Sequence, residues 1–312
     1  MTFRITVTLA VMVFITALAA CLMLVQLLAF HAGAEEAASA YMDAASEATV
    51  GRLQAQLDEL TILLSVLSTN PFLADSDDRS EVGGAVGLFK TALHDLPQVD
   101  SIYVGYDNGC WIQVRGLDDL DSAQRKLLGA PDGAITNINL VRPSAGGALP
   151  MRRVFEDAQG NKIDQVDLWN YGYDARQRSW YRDTQRTAQL LISSPYPSFS
   201  VGALMVTISA PLKGSTSGII AADLKLDKFS DFVNSQRPGK HGQAVLFDAS
   251  GTLIAFRGLA RLVDDAMTHP AHSKIPKIRE LKDGMIQAVM RGWDGRDRYE
   301  GNLRADSPVW ST

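Results

Sequence analysis

The sequence predicts an α+β protein in which an N-terminal membrane-spanning helix runs into a long helix, followed by two tandem antiparallel-sheet modules. Three observations lead to this prediction. An apolar run of membrane-spanning length extends from Ile5 to Phe30, and a stripe of apolar residues at helical spacing lies between Val50 and Leu67. A hairpin signal, in which an acid is followed closely by a glycine, then occurs three times. Helical and strand patterns therefore occupy separate parts of the chain, which is typical of α+β proteins.

Composition limits the classes of function. The chain has 312 residues, of which 46% are hydrophobic and 21% charged, and these values are ordinary for a globular protein. Its formal charge is −5 and it has no Lys/Arg run, so a nucleic acid is not expected as a partner. Cys21 and Cys110 are the only cysteines, and they provide neither a disulfide framework nor a metal cluster.

The apolar run predicts a single membrane span. At 1.5 Å per residue in a helix, residues 5–30 are long enough to cross a hydrocarbon core of about 30 Å. Arg4 precedes the run and Glu35 follows it, so the positive-inside rule favours a cytoplasmic N-terminus. Residues 1–34 are therefore assigned to the cytoplasmic N-terminus and the span, and the resemblance described below implies that the membrane is a bacterial inner membrane. The remainder of the chain is expected in the periplasm.

A cleaved signal peptide is the alternative interpretation of this run. The segment from Leu18 to Cys21 has the form of a lipoprotein cleavage site. A lipoprotein becomes polar soon after its cysteine, whereas here the apolar run continues to Phe30. An uncleaved anchor is therefore expected.

Residues 35–69 predict a long periplasmic helix. This segment has no proline, and Asn70-Pro71 marks its end. Its apolar residues recur at steps of three and four: Val50, Leu53, Leu57, Leu60, Leu64 and Leu67. We expect this stripe to pack against the protein's own domain, and a homodimer formed through the helix is the alternative.

Hairpin turns define the two modules that follow. An acid and a glycine suit a tight reversal because the acid caps the turn and the glycine accepts a positive φ. The turns are predicted at 107–109, 157–160 and 248–251. The first and last lie about 140 residues apart, which fits two related modules better than a solenoid. They are assigned to residues 70–233 and 234–312, with a short connecting helix at 227–233. The first sheet should include both early hairpins and the runs 205–211 and 218–224.

The stretch from Tyr173 to Asp223 contains the candidate binding residues. An Arg guanidinium can pair with a carboxylate, an Asp can face an ammonium, and aromatic side chains can wall a pocket, so this inventory suits a small zwitterion. The candidate ligand-binding residues are Tyr173, Arg178, Trp180, Tyr181, Tyr196, Ser198 and Asp223. The alternative is that the aromatic residues only pack in a core and that Arg178 is a surface residue.

In order and spacing, these residues resemble the amino-acid-binding subgroup of bacterial double Cache (dCache) sensor domains. That subgroup has Tyr, four residues, Arg, one residue, Trp-Tyr, a later Tyr-x-Asp and a final Asp. The resemblance covers residues 35–312 and implies two PAS-like modules, with the ligand in the membrane-distal one. It also implies that Arg178 and the first aromatics bind a carboxylate and that the acids bind an amino group. Ser198 stands in place of the first acid, which predicts altered selectivity towards amines or neutral polar ligands.

The sequence does not predict catalysis, a metal site or a cofactor. It lacks a nucleophile elbow, a Walker loop and a dinucleotide-binding glycine fingerprint. His269 and His272 form a close pair, but they lie in a proline-containing loop without a zincin pattern. Arg115 is expected to be a solvated loop charge. Three nearby acids lack EF-hand spacing and are not expected to bind Ca²⁺: Asp118, Asp119 and Asp121.

Two functions remain open at the level of sequence. The first is a membrane-anchored sensor domain that binds a small polar ligand, an amino acid or an amine, for signal transduction. The second is a ligand-free structural or dimerisation module of a membrane protein. No second apolar span follows Leu303, although sensors of this family normally return through the membrane. Two alternatives are open: either the second module is truncated and an output enzyme such as a cyclase or histidine kinase is lost with it, or a partner protein supplies the output.

Overall fold

The computed structural model describes residues 2–74, 82–144, 146–169, 171–198, 200–201, 203–226, 230, 233, 245–248, 250–255, 275, 277–281 and 284–292. The helices are α1 (Thr2–Leu67), α2 (Pro71–Ala74), α3 (Val82–Asp95), α4 (Ser122–Leu128), α5 (Ser179–Thr187) and α6 (Gly284–Gly292). The strands are β1 (Val99–Tyr106), β2 (Trp111–Gly116), β3 (Thr136–Val141), β4 (Met151–Glu156), β5 (Lys162–Leu168), β6 (Leu191–Ile192), β7 (Tyr196–Pro197), β8 (Leu204–Pro211), β9 (Gly218–Lys225), β10 (Leu246–Phe247) and β11 (Leu253–Ala255).

The first compact unit contains residues 1–52, most of helix α1. By length and composition, α1 is able to span a membrane, and it is the one helix among the described residues that meets this test. Its side chains from Val11 to Phe30 are all exposed. Exposed apolar side chains over this length are what a lipid-facing helix requires.

The second unit begins at Leu53 and contains the sheet. Leu60 and Leu64 on the last turns of α1 are 0% exposed and belong to the main apolar core, whereas Ile62 on the opposite face is 66% exposed. The predicted apolar stripe therefore packs against its own domain from Leu53 to Leu67, as the three- and four-residue spacing requires, whereas Val50 at its start is 52% exposed.

A nine-stranded antiparallel sheet forms the body of this unit. Eight strands follow the order β5-β4-β3-β2-β1-β9-β8-β6, and β7 also pairs with β8. The central strand β1 pairs with β2 and β9, placing Ser101 opposite both Arg115 and Asp223. The α+β class and the sheet that follows the long helix are therefore confirmed.

The two faces of the sheet differ in chemistry because successive side chains of a strand point to opposite faces. On β1, Ile102 and Val104 belong to the core that includes α1 and α3. Ser101 and Tyr103 alternate with them and are also buried, at 0% and 1% exposure. The face of Ser101 and Tyr103 therefore places polar side chains under cover, and the candidate site lies there.

All three predicted hairpins are present. β1 pairs with β2, β4 with β5 and β10 with β11. Their turn glycines have positive φ values of 87° at Gly109, 80° at Gly160 and 82° at Gly251. The runs 205–211 and 218–224 are also strands of the first sheet, as predicted.

The prediction for Arg115 is wrong. Arg115 is part of β2 and is 1% exposed, whereas Asp118 and Asp119 are solvated as expected. Asp121 caps α4 by accepting a hydrogen bond from the Gln124 N–H.

Several predictions fall outside the described residues. They include His269, His272, most of the connecting helix and most of segment 234–312. The division into modules at 70–233 and 234–312 stays a prediction.

Candidate functional site

A cleft on the polar face of the sheet brings the candidate residues together. β1, β2, β3 and β9 form its floor, and the segments around α5 and β7 contribute its other walls. The residues that line it are Tyr103, Trp111, Gln113, Arg115, Asn139, Tyr171, Tyr173, Arg178, Trp180, Tyr196, Ser198, Ser200 and Asp223. With its mouth included, the cleft measures about 420 Å³.

The segment before α5 positions Arg178. Asp174 caps a 3₁₀ turn at Ala175–Gln177, and its carboxylate accepts hydrogen bonds from the backbone N–H, Nε and Nη2 of Arg176. Arg178 follows directly as the N-cap of α5, and its guanidinium carbon lies 5.8 Å from the ring centre of Tyr173. It is half-buried and lines the cleft, which suits a group that meets a charged ligand at the mouth.

Gly105 on β1 permits the close approach of this segment to the sheet. A Cβ at this position would lie 3.0 Å from the Cβ of Ala175 and 3.3 Å from the Trp180 ring. A larger residue would therefore push the turn and α5 away from the floor of the cleft.

Four aromatic residues form one wall. The rings of Trp111 and Tyr173 lie 4.5 Å apart, and Trp180 stands edge-on to Tyr103 at 5.0 Å. The indole N–H of Trp111 is buried and has no acceptor among the described residues. A ligand oxygen could satisfy this donor, which otherwise costs about 1–3 kcal/mol when left unpaired.

Asp223 is the sixth of the eight residues of β9 and is 5% exposed. Its Oδ1 accepts hydrogen bonds from the hydroxyls of Thr207 at 2.6 Å, Tyr103 at 2.7 Å and Tyr196 at 3.3 Å. Its Oδ2 accepts a longer bond of 3.3 Å from the Ser101 hydroxyl. Burial raises the pKa of Asp223, while the bonds from Thr207 and Tyr103 oppose that rise. Oδ2 therefore has spare capacity for a further donor such as an ammonium.

A chain of buried polar side chains extends from Asp223 across the sheet. Gln113 donates to Ser101 at 3.1 Å, Asn139 donates to the Gln113 carbonyl oxygen at 2.9 Å, and Arg153 Nε donates to the Asn139 carbonyl oxygen at 3.1 Å. These bonds follow the strand register, in which Gln113 pairs with Asn139 and Asn139 with Arg153. The floor of the cleft is therefore fixed by side-chain bonds as well as by the backbone ladder.

Arg115 forms a second buried charged group at the cleft. Its Nε donates to Asp100 at 2.8 Å, and its Nη1 donates to the Ser200 hydroxyl at 2.7 Å. Both charged side chains of the Arg115–Asp100 pair are almost fully buried. This pair connects the floor of the cleft to the segment between β7 and β8.

Six of the seven sequence-predicted residues line the cleft: Tyr173, Arg178, Trp180, Tyr196, Ser198 and Asp223. Tyr181 is not among the lining residues. It is 1% exposed and packs beside Trp180, and its buried hydroxyl has no partner among the described residues. Burial raises the pKa of Tyr181 to about 12.

Sequence reasoning missed seven lining residues: Tyr103, Trp111, Gln113, Arg115, Asn139, Tyr171 and Ser200. A pattern in the sequence could have indicated three of them. Trp111, Gln113 and Arg115 alternate along one strand, and polar residues at alternate positions of an otherwise apolar run indicate a common polar face.

Asp223→Asn should remove most of the binding of any aminated ligand, because the neutral amide of asparagine does not balance the positive charge of an ammonium group. Losing a charge-assisted contact of this kind corresponds to at least roughly tenfold in affinity. The affinity of the unchanged protein should also fall as the pH drops through the raised pKa of Asp223, since protonation removes the same charge. Calorimetric titration at several pH values measures both effects.

The matched control is Asp183→Asn, which changes an acid on α5 that pairs with Arg186 at the surface. Unchanged affinity in Asp223→Asn, together with an affinity that does not depend on pH, would exclude Asp223 from the amine contact.

Comparison with known proteins identifies the class of this module. Residues 149–231 match the family model described as methyl-accepting chemotaxis protein-like, first PDC sensor domain. This segment contains β4 to β9 and six of the lining residues predicted from the sequence. Over this segment the chain is a chemoreceptor-like sensor domain, and the resemblance to a bacterial sensor domain that the sequence indicated is confirmed at this level.

The curated relatives are longer proteins. The chain is 28% identical over 262 residues to Adenylate cyclase 1 of Rhizobium meliloti, covering 83% of this chain and 38% of the cyclase. It is 40% identical over 87 residues to the methyl-accepting chemotaxis protein McpA of Pseudomonas putida, covering 27% of this chain and 13% of McpA. With McpB of Bacillus subtilis it shares 33% identity over 137 residues, covering 42% of this chain and 19% of McpB. The similarity to chemoreceptors supports a sensor module.

Solved structures with a detectable likeness include two ligand-binding domains. The domain of the Pseudomonas aeruginosa amino acid chemoreceptor PctC, in complex with GABA, has 18% identity and a TM-score of 0.43, covering 76% of this chain and 85% of that chain. The domain of the Pseudomonas fluorescens chemoreceptor CtaA, in complex with L-serine, has 17% identity and a TM-score of 0.44, covering 75% of this chain and 78% of that chain.

Proposed function

We propose that this chain is the sensor region of a bacterial membrane receptor and binds a small ligand with both a carboxylate and an amino group. The main support is that Arg178 and Asp223, two groups of opposite charge, line one cleft with aromatic walls. A zwitterion placed between them would pair each of its charges with an opposite one. The names of the relatives agree with a sensor module, and the amino-acid ligands in the names of the structural neighbours are of the same chemical class.

Three contacts would hold the ligand carboxylate in this proposal. The Arg178 guanidinium provides the charge, and Tyr173 and Trp180 flank it. Asp223 would receive the amino group through Oδ2, since Oδ1 already accepts three hydroxyl bonds. The role of each residue in binding is part of the proposal.

A thermal-stability screen tests the proposal. The ligands are amino acids, polyamines, carboxylates and purines, added to the detergent-solubilised chain. A ligand present at 100 times its dissociation constant should add about 2.7 kcal/mol to the free energy of unfolding. Stabilisation by an amino acid supports the sensor function. A ligand-free structural module would be stabilised by none of these compounds.

The orientation in the membrane is a further part of the proposal, with the N-terminus inside and the sheet in the periplasm. A reporter enzyme that functions only in the periplasm should therefore be active when it is fused after Thr312. A reporter enzyme that functions only in the cytoplasm should be inactive at the same position. Cytoplasmic activity of the same fusion would overturn this topology. Cys21→Ser should leave the extraction of the protein from membranes unchanged, because the anchor is the helix and not a lipid on that cysteine.

Signal output belongs to the same proposal. The chain spans less than two fifths of Adenylate cyclase 1 and smaller fractions of the chemoreceptors. We expect the bound state to be reported to an output enzyme such as a cyclase or a histidine kinase. Fusion of this region to a cyclase with a measurable product would test whether the best screened ligand changes its activity.

A further inference from the structure

Among the described residues that line the cleft or bond to its lining residues, positive charge exceeds negative charge. Two cations and one anion line the cleft directly: Arg115, Arg178 and Asp223. Two further charged groups bond to lining residues, Asp100 to Arg115 and Arg153 to Asn139. These five groups sum to three positive and two negative charges, a net charge of +1. A zwitterion has no net charge and would leave this excess in place.

Arg153 is a buried cation without an acidic partner among the described residues. Its guanidinium donates to the Asn139 carbonyl oxygen, the backbone carbonyl of Leu128 and the hydroxyl of Tyr171, all of which are uncharged. The residue is 7% exposed. Burial lowers the pKa of the Arg153 guanidinium, and the positive charge of Arg115 adds to this lowering. A buried and uncompensated charge is costly, so a nearby anion would stabilise it.

Arg115 can bond to such an anion. Its Nε and Nη1 are used by Asp100 and Ser200, while its Nη2 has no acceptor among the described residues. Arg115 lies four residues beyond Trp111 on β2, which corresponds to about 13 Å along the strand. Trp111 contacts Tyr173, and Tyr173 contacts Arg178, so Arg178 lies at the end of the cleft near Trp111. Arg115, four residues further along β2, therefore lies towards the opposite end.

Ser198 is neutral, so its side chain adds no negative charge to the end of the cleft near Arg115. Ser198 is 7% exposed, lines the cleft and accepts a 3.4 Å bond from the Ser200 N–H. Ser200 in turn accepts from Arg115. Two hydroxyls and a guanidinium therefore meet here, and these are the donors that a carboxylate requires.

We propose that the ligand is an acidic amino acid, aspartate or glutamate, whose side-chain carboxylate binds Arg115 together with the hydroxyls of Ser198 and Ser200. This inference rests on the proposed function, in which Arg178 and Asp223 bind the two groups of the amino acid backbone. The ligand then supplies the one negative charge that balances the five groups. This assignment differs from the expectation from sequence that Ser198 favours amines or neutral ligands, and that expectation stays a prediction.

Two ligand pairs that differ in a single charge test the proposal. Glutamate and glutamine have nearly the same shape, as do aspartate and asparagine. Calorimetric titration of the detergent-solubilised chain should give at least about tenfold tighter binding for one acid than for its amide, the effect of a close charge pair. Equal affinities within both pairs would overturn the acidic subsite while leaving the amino-acid function intact. Failure of every amino acid to bind would overturn both.

Ser198→Asp provides the second test, because it places a negative charge beside Arg115. The ratio of acid to amide affinity should fall at least about tenfold, while neutral amino acids bind as tightly or more tightly. Ser198→Asn is the matched control, since it also removes the hydroxyl and adds nearly the same volume but carries no charge, so the ratio should fall clearly less than in Ser198→Asp. Thermal unfolding checks that both variants are folded. An unchanged ratio in folded Ser198→Asp would contradict the proposal.

Discussion

Arg178→Ala should nearly abolish ligand binding. The Arg178 guanidinium lies 5.8 Å from the ring centre of Tyr173 and lines the cleft together with Trp180, and a carboxylate bound there would lose its charge-assisted contact. Loss of such a contact costs about 2–5 kcal/mol, which corresponds to roughly thirtyfold or more in affinity. Titration with the best ligand of the stability screen measures the change.

Two further variants make this result specific to the guanidinium. Arg178→Lys should also bind poorly, because a point charge does not reproduce the planar fork of an arginine. Arg182→Ala alters an exposed arginine one turn along α5 and should bind normally. If folded Arg178→Ala binds with the affinity of the unchanged protein, the carboxylate does not bind at this position.

Leu64→Ala should destabilise the sheet unit by about 2–5 kcal/mol, the usual effect of truncating a fully buried leucine. Leu64 is 0% exposed and belongs to the cluster that joins the last turns of α1 to α3 and the sheet. Urea denaturation of the detergent-solubilised chain, followed by tryptophan fluorescence, measures the loss.

The control is Ile62→Ala, which truncates a residue on the same helix that is 66% exposed. Its free energy of unfolding should change by about 0.5 kcal/mol or less, as is usual for surface substitutions. Equal effects of the two substitutions would mean that the last turns of α1 do not stabilise the sheet.

Much of the fold could be predicted because its signals are local. The spacing of Leu57, Leu60 and Leu64 along the chain determines which face of α1 is buried. The acid and glycine at each hairpin determine where the chain reverses. Strand β3 and helix α4 were not predicted. β3 contains Asn137 and Asn139 at buried positions, and polar residues in a strand conceal the apolar pattern by which buried strands are found.

The candidate site was predicted in part for a similar reason. Arg178, Trp180 and Asp223 belong to a contiguous stretch with a recognisable order. Arg115 lies far from that stretch in sequence, and its neighbours Asp118 and Asp119 made a solvated loop the simpler expectation. Only the register of β1 with both β2 and β9 brings Arg115 into the same row of the sheet as Asp223. Pairings between distant strands cannot be read from local pattern.

The buried chain of polar side chains has a direction. Every donor in it faces the same way, from Arg153 through Asn139, Gln113 and Ser101 to Asp223. Four strand spacings separate its ends, or about 19 Å. Successive dipoles are thus aligned from a cation to an anion, and such bonds polarise one another. Each intermediate must donate on one side and accept on the other, as an amide or hydroxyl does and a carboxylate does not. A positive charge that arrives at Asp223 opposes this polarisation, so its effect extends through the aligned dipoles to the far side of the sheet, at Arg153.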